Sequence, residues 1–587
     1  MNIYRIIKEI FKKEKILFIS TFCIIIIFNI FEILGLLTLA PVIDLIGNID
    51  SAKTSKITKF YFDFFKINNL DGILFYFILF ILINIVIAII TIFSQYLILR
   101  LKYSYCGNLL SEIYKNIYNA RWEFFTSEKQ GNFINTITRE LQIVGDLLAV
   151  IGRLGSACMQ LAVFIILPFF LSIKITIFMI LTSLILFLPL FQLTTLSKKL
   201  GFKNTAISAN FINSIYESFI AVRSIILSGV SKQIIDNIKK KFDLNSKSGI
   251  KTTTVEIVLQ AISLPLVSVA LVLIYYLGIR DTDVSLSNVA IILVSFLRFL
   301  TKFKDVLHLK NTLERSISSF VNINNLNNKA KLNKQVFGKK VFSKVNKKID
   351  FKDISFSYDK KSLFKNLTFS LPAKKITSIV GESGAGKSTL IDLLLGIKSP
   401  VAGKILIDNI NLQEYSFLSL RKKVGLISQD DFLFNMSIID NITWGSKKIN
   451  YNRFYKATRI AEVDSFALNF EEKYNTIIGD KGSKLSSGQI QRISIARVLY
   501  KDPEIIVFDE GTNALDLFTE SKILEKIFSL YKNRTIIIIS HRYSTISKSN
   551  LVYVLKKGEI VDSGSLKYLI SKRGYFFKKL YEKKNIN

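Results

Sequence analysis

The sequence predicts two parts of different class: an α-helical domain of six membrane spans with long cytoplasmic helical extensions, then an α/β domain. Half of the 587 residues are apolar, and the mean hydropathy is +0.35, which is high for a soluble chain of this length. Long apolar stretches occur only before residue 310. In the second half, short β-rich runs alternate with helical patterns, as in an α/β fold.

Six stretches are long and apolar enough to cross a bilayer as helices, which takes about 20 residues. They are Ile16–Leu37, Ile73–Leu99, Leu147–Leu171, Ile175–Leu196, Val255–Leu277 and Val289–Leu309. The third and fourth meet at Ser172-Ile173-Lys174, which predicts a tight hairpin. Long polar, helix-prone segments separate the second span from the third and the fourth from the fifth.

The orientation follows from the basic N-terminus, because lysine and arginine favour the cytoplasmic side. Both long polar segments then lie in the cytoplasm as extensions of the spans. The first apolar run is span-length and has no small-residue cleavage site after it, which indicates a retained anchor rather than a signal peptide. In Gly47–Asp71, aromatic residues recur at helical spacing, which fits either a helix in the membrane interface or an ordinary packed loop helix.

The composition excludes several classes of protein. A net charge of +34 suggests nucleic-acid binding, but the lysines are scattered and no recognition motif stands out. A cytoplasmic face that meets anionic lipid headgroups explains the charge better, so membrane lipids are expected partners and nucleic acid is not. The three cysteines have no paired or metal-ligand spacing, so neither a disulfide framework nor a zinc site is expected.

The domain boundaries are predicted from a polar stretch rich in lysine and asparagine. This stretch, residues 325–348, would be a linker between a membrane domain at 1–324 and an α/β domain at 349–587.

The α/β domain contains a phosphate-binding loop. Gly381–Ser388 fits G-x-x-x-x-G-K-S and lies between the β-rich run Ile376–Val380 and the helical run Thr389–Gly396. Backbone N–H groups and the helix N-terminus would hold the phosphates. Lys387 would reach the β- and γ-phosphates, and the Ser388 hydroxyl would bind Mg²⁺. The expected nucleotide-binding residues here are Gly381, Glu382, Ser383, Gly384, Ala385, Gly386, Lys387, Ser388 and Thr389.

Two adjacent carboxylates follow a second buried-strand pattern, in Glu504–Glu510. Asp509, at the end of the strand, suits Mg²⁺ either directly or through water. Glu510 suits the general base that polarises an attacking water molecule. The sequence therefore predicts an α/β P-loop nucleotide-binding domain with ATP and Mg²⁺ as cofactors.

These motifs, downstream of six apolar stretches, resemble those of ATP-binding cassette (ABC) exporters along essentially the whole chain. The resemblance implies a half-transporter with fused membrane and ATPase domains, in which ATP hydrolysis drives transport. It implies that Tyr358 stacks on adenine and that Gln429 senses the γ-phosphate and Mg²⁺. His541 would contact the γ-phosphate from the switch position. Gln429 and His541 then join Glu510 as catalytic residues, and Gln429 joins Ser388 and Asp509 as metal ligands.

The resemblance also covers a signature motif. Leu485–Gln489, followed by Gln491-Arg492, matches LSGGQxQR with Ser487 in place of the first glycine. In this family the motif binds ATP from the opposing domain, so one such domain per chain implies a homodimer or a pair with a related half-transporter. The residues expected to contact nucleotide in this way are Ser486, Ser487, Gly488, Gln489 and, in the D-loop, Asp516.

Movement would pass from the ATPase domains to the spans through the helical extensions. The resemblance places the coupling segments near Arg121–Gln130 and Asn213–Arg223. The chain departs mildly from the family at Ser487 and at Asn513, in Glu-Gly-Thr-Asn-Ala-Leu-Asp. No catalytic group is lost, but the coupling efficiency is left open.

The cargo must be inferred from ionisable residues in the spans, where they are costly and often functional. Glu32 lies in the first span and Arg298 in the sixth. They either pair to fix helix packing, or Arg298, with Arg153, faces a cavity and holds an anionic headgroup such as a diphosphate. The Glu-x-x-Gly…Pro pattern of the first span and the arginine of the last are similar to bacterial lipid-linked oligosaccharide flippases.

That second resemblance implies a multi-pass protein of the bacterial inner or plasma membrane, with a cytoplasmic nucleotide-binding domain, that flips an amphipathic cargo such as a lipid-linked glycan. Two alternatives stay open. One is an exporter of drugs, lipids or small peptides, whose cavity should be apolar with few fixed charges. The other is a regulatory or channel-gating protein that does not pump, against which an intact Glu510 argues.

Overall fold

The computed structural model describes residues 8, 11–46, 54–65, 72–187, 191–274, 276, 286–336, 338–358, 361–428, 431–540 and 542–575. The chain divides into two compact units. The first comprises Met1–Ala120 and Phe124–Lys334, and the second comprises Arg121–Glu123 and Gln335–Asn587.

The first unit is helical. Its helices are α1 (Lys15–Leu37), α2 (Leu39–Ile46), α3 (Lys56–Phe65), α4 (Ile73–Tyr118), α5 (Trp122–Ser127, whose first two residues are assigned to the second unit), α6 (Gln130–Asn135), α7 (Leu141–Leu171), α8 (Ile173–Phe187), α9 (Phe191–Ile220), α10 (Val222–Leu227), α11 (Ser231–Ile274) and α12 (Leu286–Leu332). One π-helical turn, Thr136–Glu140, joins α6 to α7. Ser172 has an extended backbone between α7 and α8, which confirms the predicted hairpin.

The apolar helices confirm the predicted membrane region. Among the described residues, three helical stretches are long and apolar enough to cross a membrane: Lys15–Ile46, Ile73–Tyr118 and Gln130–Leu171. A shorter apolar stretch covers Ile173–Thr182. Apart from Tyr276, the described residues of the last two predicted spans lie in α11 and α12.

The described helix of the loop after the first span, α3, has two unlike aromatic faces. Tyr61 is buried and contacts Phe65 and Tyr76 through stacked and edge-on rings. Phe60 and Phe64 are exposed and stack on each other with ring centroids 6.1 Å apart. One face therefore packs on the unit, as a loop helix does, while the other presents aromatic side chains to the surroundings.

The second unit is α/β. Its strands are β1 (Lys348–Tyr358), β2 (Lys361–Pro372), β3 (Ile376–Gly381), β4 (Ala402–Ile407), β5 (Ile410–Asn411), β6 (Val424–Ser428), β7 (Ile505–Asp509), β8 (Thr535–Ile539), β9 (Leu551–Lys556) and β10 (Glu559–Gly564). They form one sheet of order β2-β1-β4-β5 and another of order β10-β9-β3-β8-β7-β6. Strands β9, β3, β8, β7 and β6 pair in parallel. The β8 sequence Thr-Ile-Ile-Ile-Ile is buried throughout, as expected of a parallel strand covered on both faces.

Helices cover these sheets. They are α13 (Lys387–Leu394), α14 (Phe417–Lys423), α15 (Ile438–Ile442), α16 (Tyr451–Ile460), α17 (Asp464–Ala467), α18 (Ser487–Tyr500), α19 (Leu517–Leu530), α20 (Tyr543–Ile546) and α21 (Leu566–Ser571). The predicted strands Ile376–Val380, Ile505–Phe508 and Thr535–Ser540 are confirmed as β3, β7 and β8. The segment 325–348, predicted as a linker, begins inside α12, which is helical as far as Leu332. The domain boundaries stay predictions.

Candidate active site: a phosphate loop and two carboxylates

The phosphate loop connects the carboxyl end of β3 to the N-terminus of α13. Gly384 and Gly386 have φ angles of +79° and +106°, a region that glycine occupies without steric cost. A Cβ atom on Gly386 would lie 2.6 Å from the ring of Phe364. Because β8 lies between β3 and β7 in a parallel arrangement, the carboxyl ends of β3 and β7 share one edge of the sheet. This edge collects the phosphate loop and the two carboxylates.

Lys387 is held inside the loop. Its ammonium donates to the carbonyl oxygens of Gly381 at 2.9 Å and Glu382 at 3.0 Å, and only 7% of the residue is exposed. Burial lowers the pKa of Lys387, while the charges of Glu510 and Asp509 act in the opposite direction. The ammonium supplies a positive charge for the phosphates of a nucleotide, and the neighbouring carboxylates can serve a metal ion and the attacking water.

Ser388 and Asp509 provide neighbouring oxygen ligands. The Ser388 hydroxyl donates to the Asp509 carboxylate at 3.3 Å. Burial raises the pKa of Asp509; the Ser388 hydrogen bond lowers it and the neighbouring Glu510 raises it. A hydroxyl and a carboxylate at this separation are hard oxygen donors of the kind that bind Mg²⁺, so these residues fit the expected ion.

Glu510 has a constrained backbone. Its φ angle is +52°, and its amide donates to the carbonyl of Ile539 at 3.0 Å. The side-chain amide of Asn513 donates to Glu510 Oε2 at 3.1 Å. In the sequence, Asn513 is only a departure from the family motif, and nothing local to that motif predicts the hydrogen bond.

A cavity of about 400 Å³ brings several of these residues together. Its lining comprises Tyr358, Lys361, Ser362, Leu363, Ser383, Gly384, Gly386, Lys387, Ser388, Thr389 and Glu510. The volume is typical of a small-molecule site. Sequence reasoning missed Lys361–Leu363, which begin β2 and carry no motif.

Tyr358 lies at one end of this cavity and is 46% exposed. Its hydroxyl is 3.0 Å from the Thr389 hydroxyl and accepts a hydrogen bond from Lys398 at 2.6 Å. The Lys398 ammonium also lies 4.6 Å from the centre of the tyrosine ring. The ring is therefore tethered near the phosphate loop with part of its surface accessible.

The signature motif forms the N-terminus of α18. Ser486 and Gln489 make a capping box: Ser486 Oγ accepts from the Gln489 amide, and the Gln489 side chain accepts from the Ser486 amide. Gln491 Oε1 accepts from the amide of Ala514 at 3.0 Å, which ties α18 to the D-loop. The described lining of the 400 Å³ cavity includes no residue of this motif.

The other residues expected at the nucleotide site are Asp516, Gln429 and His541. Asp516 is the N-cap of α19 and accepts from the Thr519 amide at 2.9 Å. Gln429 and His541 lie outside the described residues, so their roles stay predictions. The residues directly before them on the chain are described: Ser428 ends β6, and Ser540 follows β8.

The three membrane residues separate into two groups. Arg298 Nη1 lies 3.6 Å from Glu32 Oε1, and Gln160 donates to Glu32 Oε2 at 2.6 Å. Arg153 instead lines a second cavity, of about 310 Å³, which also includes Lys302. Thus Glu32 and Arg298 contact each other, and Arg153 belongs to a different site.

Comparison with known proteins agrees with this architecture. A family model described as the ABC transporter transmembrane region matches residues 17–302, and one described as ABC transporter matches residues 364–513. The solved structure of a bacterial Atm1-family ABC exporter with ATP bound superposes with a TM-score of 0.84 at 20% identity, over 97% of this chain and 98% of the other. At that identity, the structural likeness shows the fold.

Curated relatives match most of the chain. The heterocyst differentiation ATP-binding protein HepA of Nostoc is 30% identical over 80% of this chain and 78% of the relative. The ATP-dependent lipid A-core flippase of Wigglesworthia glossinidia brevipalpis is 30% identical over 80% of this chain and 82% of the relative. With the phosphate loop, the carboxylate pair and the apolar helices, these matches assign the chain to the ABC transporter family, as a membrane exporter whose P-loop ATPase couples ATP hydrolysis to transport.

Proposed function

We propose that this exporter flips an amphipathic cargo with an anionic headgroup, such as a lipid-linked glycan, from the inner to the outer leaflet. The observation that carries the proposal is the polar, cationic cavity among the helices of the membrane unit. A multi-pass location in the bacterial inner or plasma membrane, with the nucleotide-binding domain in the cytoplasm, belongs to the same proposal. So do the domain limits 1–324, 325–348 and 349–587.

The 310 Å³ cavity lies between α1, α4, α7 and α12, and its charged lining residues are the cations Arg153 and Lys302 and the single carboxylate Asp305. Arg153 has no ion-pair partner among the described residues, whereas Lys302 is 3.7 Å from Asp305. The Nδ1 atom of His308 is buried without a hydrogen-bond partner in the described structure. Hydroxyl and amide groups of Ser94, Gln95, Ser156 and Gln160 also line the cavity. Such a lining suits an anionic, hydrogen-bonding headgroup better than an apolar drug.

Arg298 has a separate role in this proposal. Because it pairs with Glu32, we assign it to neutralising a buried carboxylate and fixing α1 against α12. Arg153 and Lys302 then become the headgroup ligands. The flippase name of one curated relative supports a lipid-linked cargo.

The nucleotide site would act as follows. Lys387 and the loop amides hold the β- and γ-phosphates, while Ser388, Asp509 and Gln429 hold Mg²⁺, which neutralises charge on the phosphates. Glu510 accepts a proton from the attacking water, and His541 contacts the γ-phosphate. Tyr358 stacks on adenine.

The signature residues Ser486–Gln489 lie at the N-terminus of a 14-residue helix, where backbone N–H groups favour anions. They would contact the γ-phosphate from the opposing domain, with Asp516 beside them. The described lining of the nucleotide cavity within one chain contains none of them, which supports assembly as a homodimer or with a related half-transporter.

The deciding experiment measures ATP turnover of the protein in liposomes with and without a polyprenyl-diphosphate-linked glycan. We expect stimulation by the glycan lipid, and its loss in Arg153→Gln and Lys302→Gln while basal turnover persists. Arg100→Gln, an exposed cation on α4 outside the cavity, is the matched control.

The other outcomes separate the alternatives. Stimulation by apolar drugs and not by the glycan lipid would point to a drug or lipid exporter. Turnover without any transport of vesicle-loaded cargo would favour a protein that gates or regulates rather than pumps.

A further inference from the structure

A series of hydrogen bonds joins Tyr358, at the end of β1, to helix α13, which follows the phosphate loop. The Tyr358 hydroxyl is 3.0 Å from the Thr389 hydroxyl and accepts from the Lys398 ammonium at 2.6 Å. Lys398 also donates to Asp392 Oδ2 at 2.8 Å. A phenol oxygen can accept from Lys398 while its own proton is donated to Thr389, so both contacts can be made at once. Since Thr389 and Asp392 lie on α13, two contacts fix the hydroxyl end of the ring to that helix.

Lys398 is a fixed donor rather than a mobile surface lysine. Its amide donates to the backbone carbonyl of Asp392 at 3.2 Å, and only 14% of its side chain is exposed. Burial lowers the pKa of Lys398, but its hydrogen bonds with Asp392 and Tyr358 outweigh this effect and raise the pKa above the usual value. The ammonium therefore keeps its charge at neutral pH, and a charged donor makes a stronger hydrogen bond than a neutral one.

The orientation of the Tyr358 ring matters because the ring borders the nucleotide cavity. The residue is nearly half exposed and lines the cavity together with Lys387 and Ser388. The ring of Phe356 meets it edge-on, with centroids 5.1 Å apart. A ring with this much accessible surface can turn away into another rotamer unless its polar end is held. The contacts of the hydroxyl therefore keep the ring beside the cavity.

We propose that Lys398, held by Asp392, is a positioning residue for the nucleobase, because it fixes the tyrosine on which the base stacks relative to the phosphate loop. This inference rests on the stacking of Tyr358 on adenine in the proposed function. The helix that carries the tether begins with Lys387 and Ser388, so one rigid element sets the spacing between the base site and the phosphate site. ATP then meets a ring that is already ordered, which spares part of the cost of binding.

Lys398 acts through Tyr358 and not on the phosphates. The described lining of the nucleotide cavity includes Tyr358 but not Lys398. The tether therefore contributes to the binding of ATP in the ground state and in the transition state alike. Its loss should raise the KM for ATP and leave kcat nearly unchanged.

The test measures KM and kcat for ATP turnover by the purified full chain in lipid nanodiscs. Lys398→Met keeps the length of the side chain but removes the donor, and we expect a KM about fivefold higher, as for one lost hydrogen bond. Lys398→Arg should keep most of the affinity, because a guanidinium can still donate to both oxygens. Lys404→Met, at an exposed lysine of β4, is the matched control. An unchanged KM in Lys398→Met, or a fall in kcat without a change in KM, would overturn the proposal.

A second variant removes the same hydrogen bond from its exposed side. Tyr358→Phe loses only the hydroxyl, so it should fold even if Lys398→Met does not, and its KM should rise at least as much. Adding Lys398→Met to Tyr358→Phe should cause no further increase, because both changes remove one contact. Additive increases would show that Lys398 acts elsewhere, which contradicts the assignment.

Tyr358→Ala separates this inference from the role proposed for the tyrosine itself. If Tyr358→Ala leaves KM unchanged, the stacking is wrong and the positioning role falls with it. If Tyr358→Ala raises KM while Tyr358→Phe and Lys398→Met do not, the stacking stands and the positioning role alone is wrong.

Discussion

The guanidinium of Arg542 donates to the carboxylate of Glu520, which is almost completely buried. Glu520 Oε1 also accepts from the hydroxyls of Thr512 at 2.6 Å and Thr545 at 3.3 Å. Arg542 Nη2 donates to the carbonyl of Asn513 at 3.1 Å. One carboxylate on α19 therefore connects the segment that follows Glu510 with the segment that follows His541.

Replacing Glu520 by alanine should destabilise the second unit. The change leaves a partly buried guanidinium and two hydroxyls without their acceptor, and breaking such a pair from one side costs on the order of 3 kcal/mol. The expected result is a lower midpoint of thermal unfolding and lower ATP turnover. The control is Glu525→Ala, on the same helix, where the exposed carboxylate pairs with Lys548 at 3.0 Å; equal midpoints for the two variants would contradict this role of Glu520.

Replacing Glu510 by glutamine should leave ATP bound but nearly abolish its hydrolysis. The amide keeps the shape of the side chain but cannot accept a proton from water, and a general base contributes roughly 100-fold or more. Nucleotide binding is measured by equilibrium dialysis and turnover by phosphate release, with the exposed Glu471→Gln as control. Near-normal turnover would show that another group is the base.

Replacing Asn513 by alanine should reduce kcat with little effect on ATP affinity. The hydrogen bond to Glu510 Oε2 holds the base, and its loss of about 1 kcal/mol corresponds to roughly fivefold in rate. Asn513→Ser, whose hydroxyl can still donate a hydrogen bond, should have a kcat between those of the unchanged protein and Asn513→Ala. A change confined to KM would instead indicate that Asn513 contributes to ATP binding.

The Asp509 carboxyl should make nucleotide-free stability depend on pH. Burial raises its folded pKa above the unfolded value of about 3.9, so the folded state binds more protons and this contribution is lost as pH rises through the folded pKa. Asp509→Asn should flatten the fall in thermal unfolding midpoint from about pH 4 upward and raise the midpoint at neutral pH. Parallel pH profiles for the two proteins would show that the burial of Asp509 has no such effect.

The strands and the phosphate loop were predictable because their signals are local. Runs such as Ile505–Phe508 are apolar at every position, as expected of a strand that is buried on both faces of the sheet. The glycines of Gly381–Ser388 are needed by the loop's own backbone angles. Gln429 and His541 are also identified by their positions relative to the family motifs, and their roles stay predictions.

Other parts of the sites were not predictable, because they depend on residues that are distant in the chain. Glu32 and Arg298 are 266 positions apart (298 − 32), and only the packing of α1 near α12 shows that they pair. Lys361–Leu363 line the nucleotide cavity because the fold brings the start of β2 to it. Gln491 on α18 accepts a hydrogen bond from the amide of Ala514, which lies in a different segment of the chain. These residues carry no pattern of their own.

The sequence alone determined the class of this protein: apolar stretches of span length require a membrane, and the spacing of the loop, carboxylate and signature motifs requires an ATPase. Tertiary structure decided which charges are neutralised and which face a cavity. Arg298 is paired, whereas Arg153 lines a cavity without an ion-pair partner in the described structure. The physical reason is that a charge acquires its energetic role from the groups that surround it after folding, and those groups come from several helices.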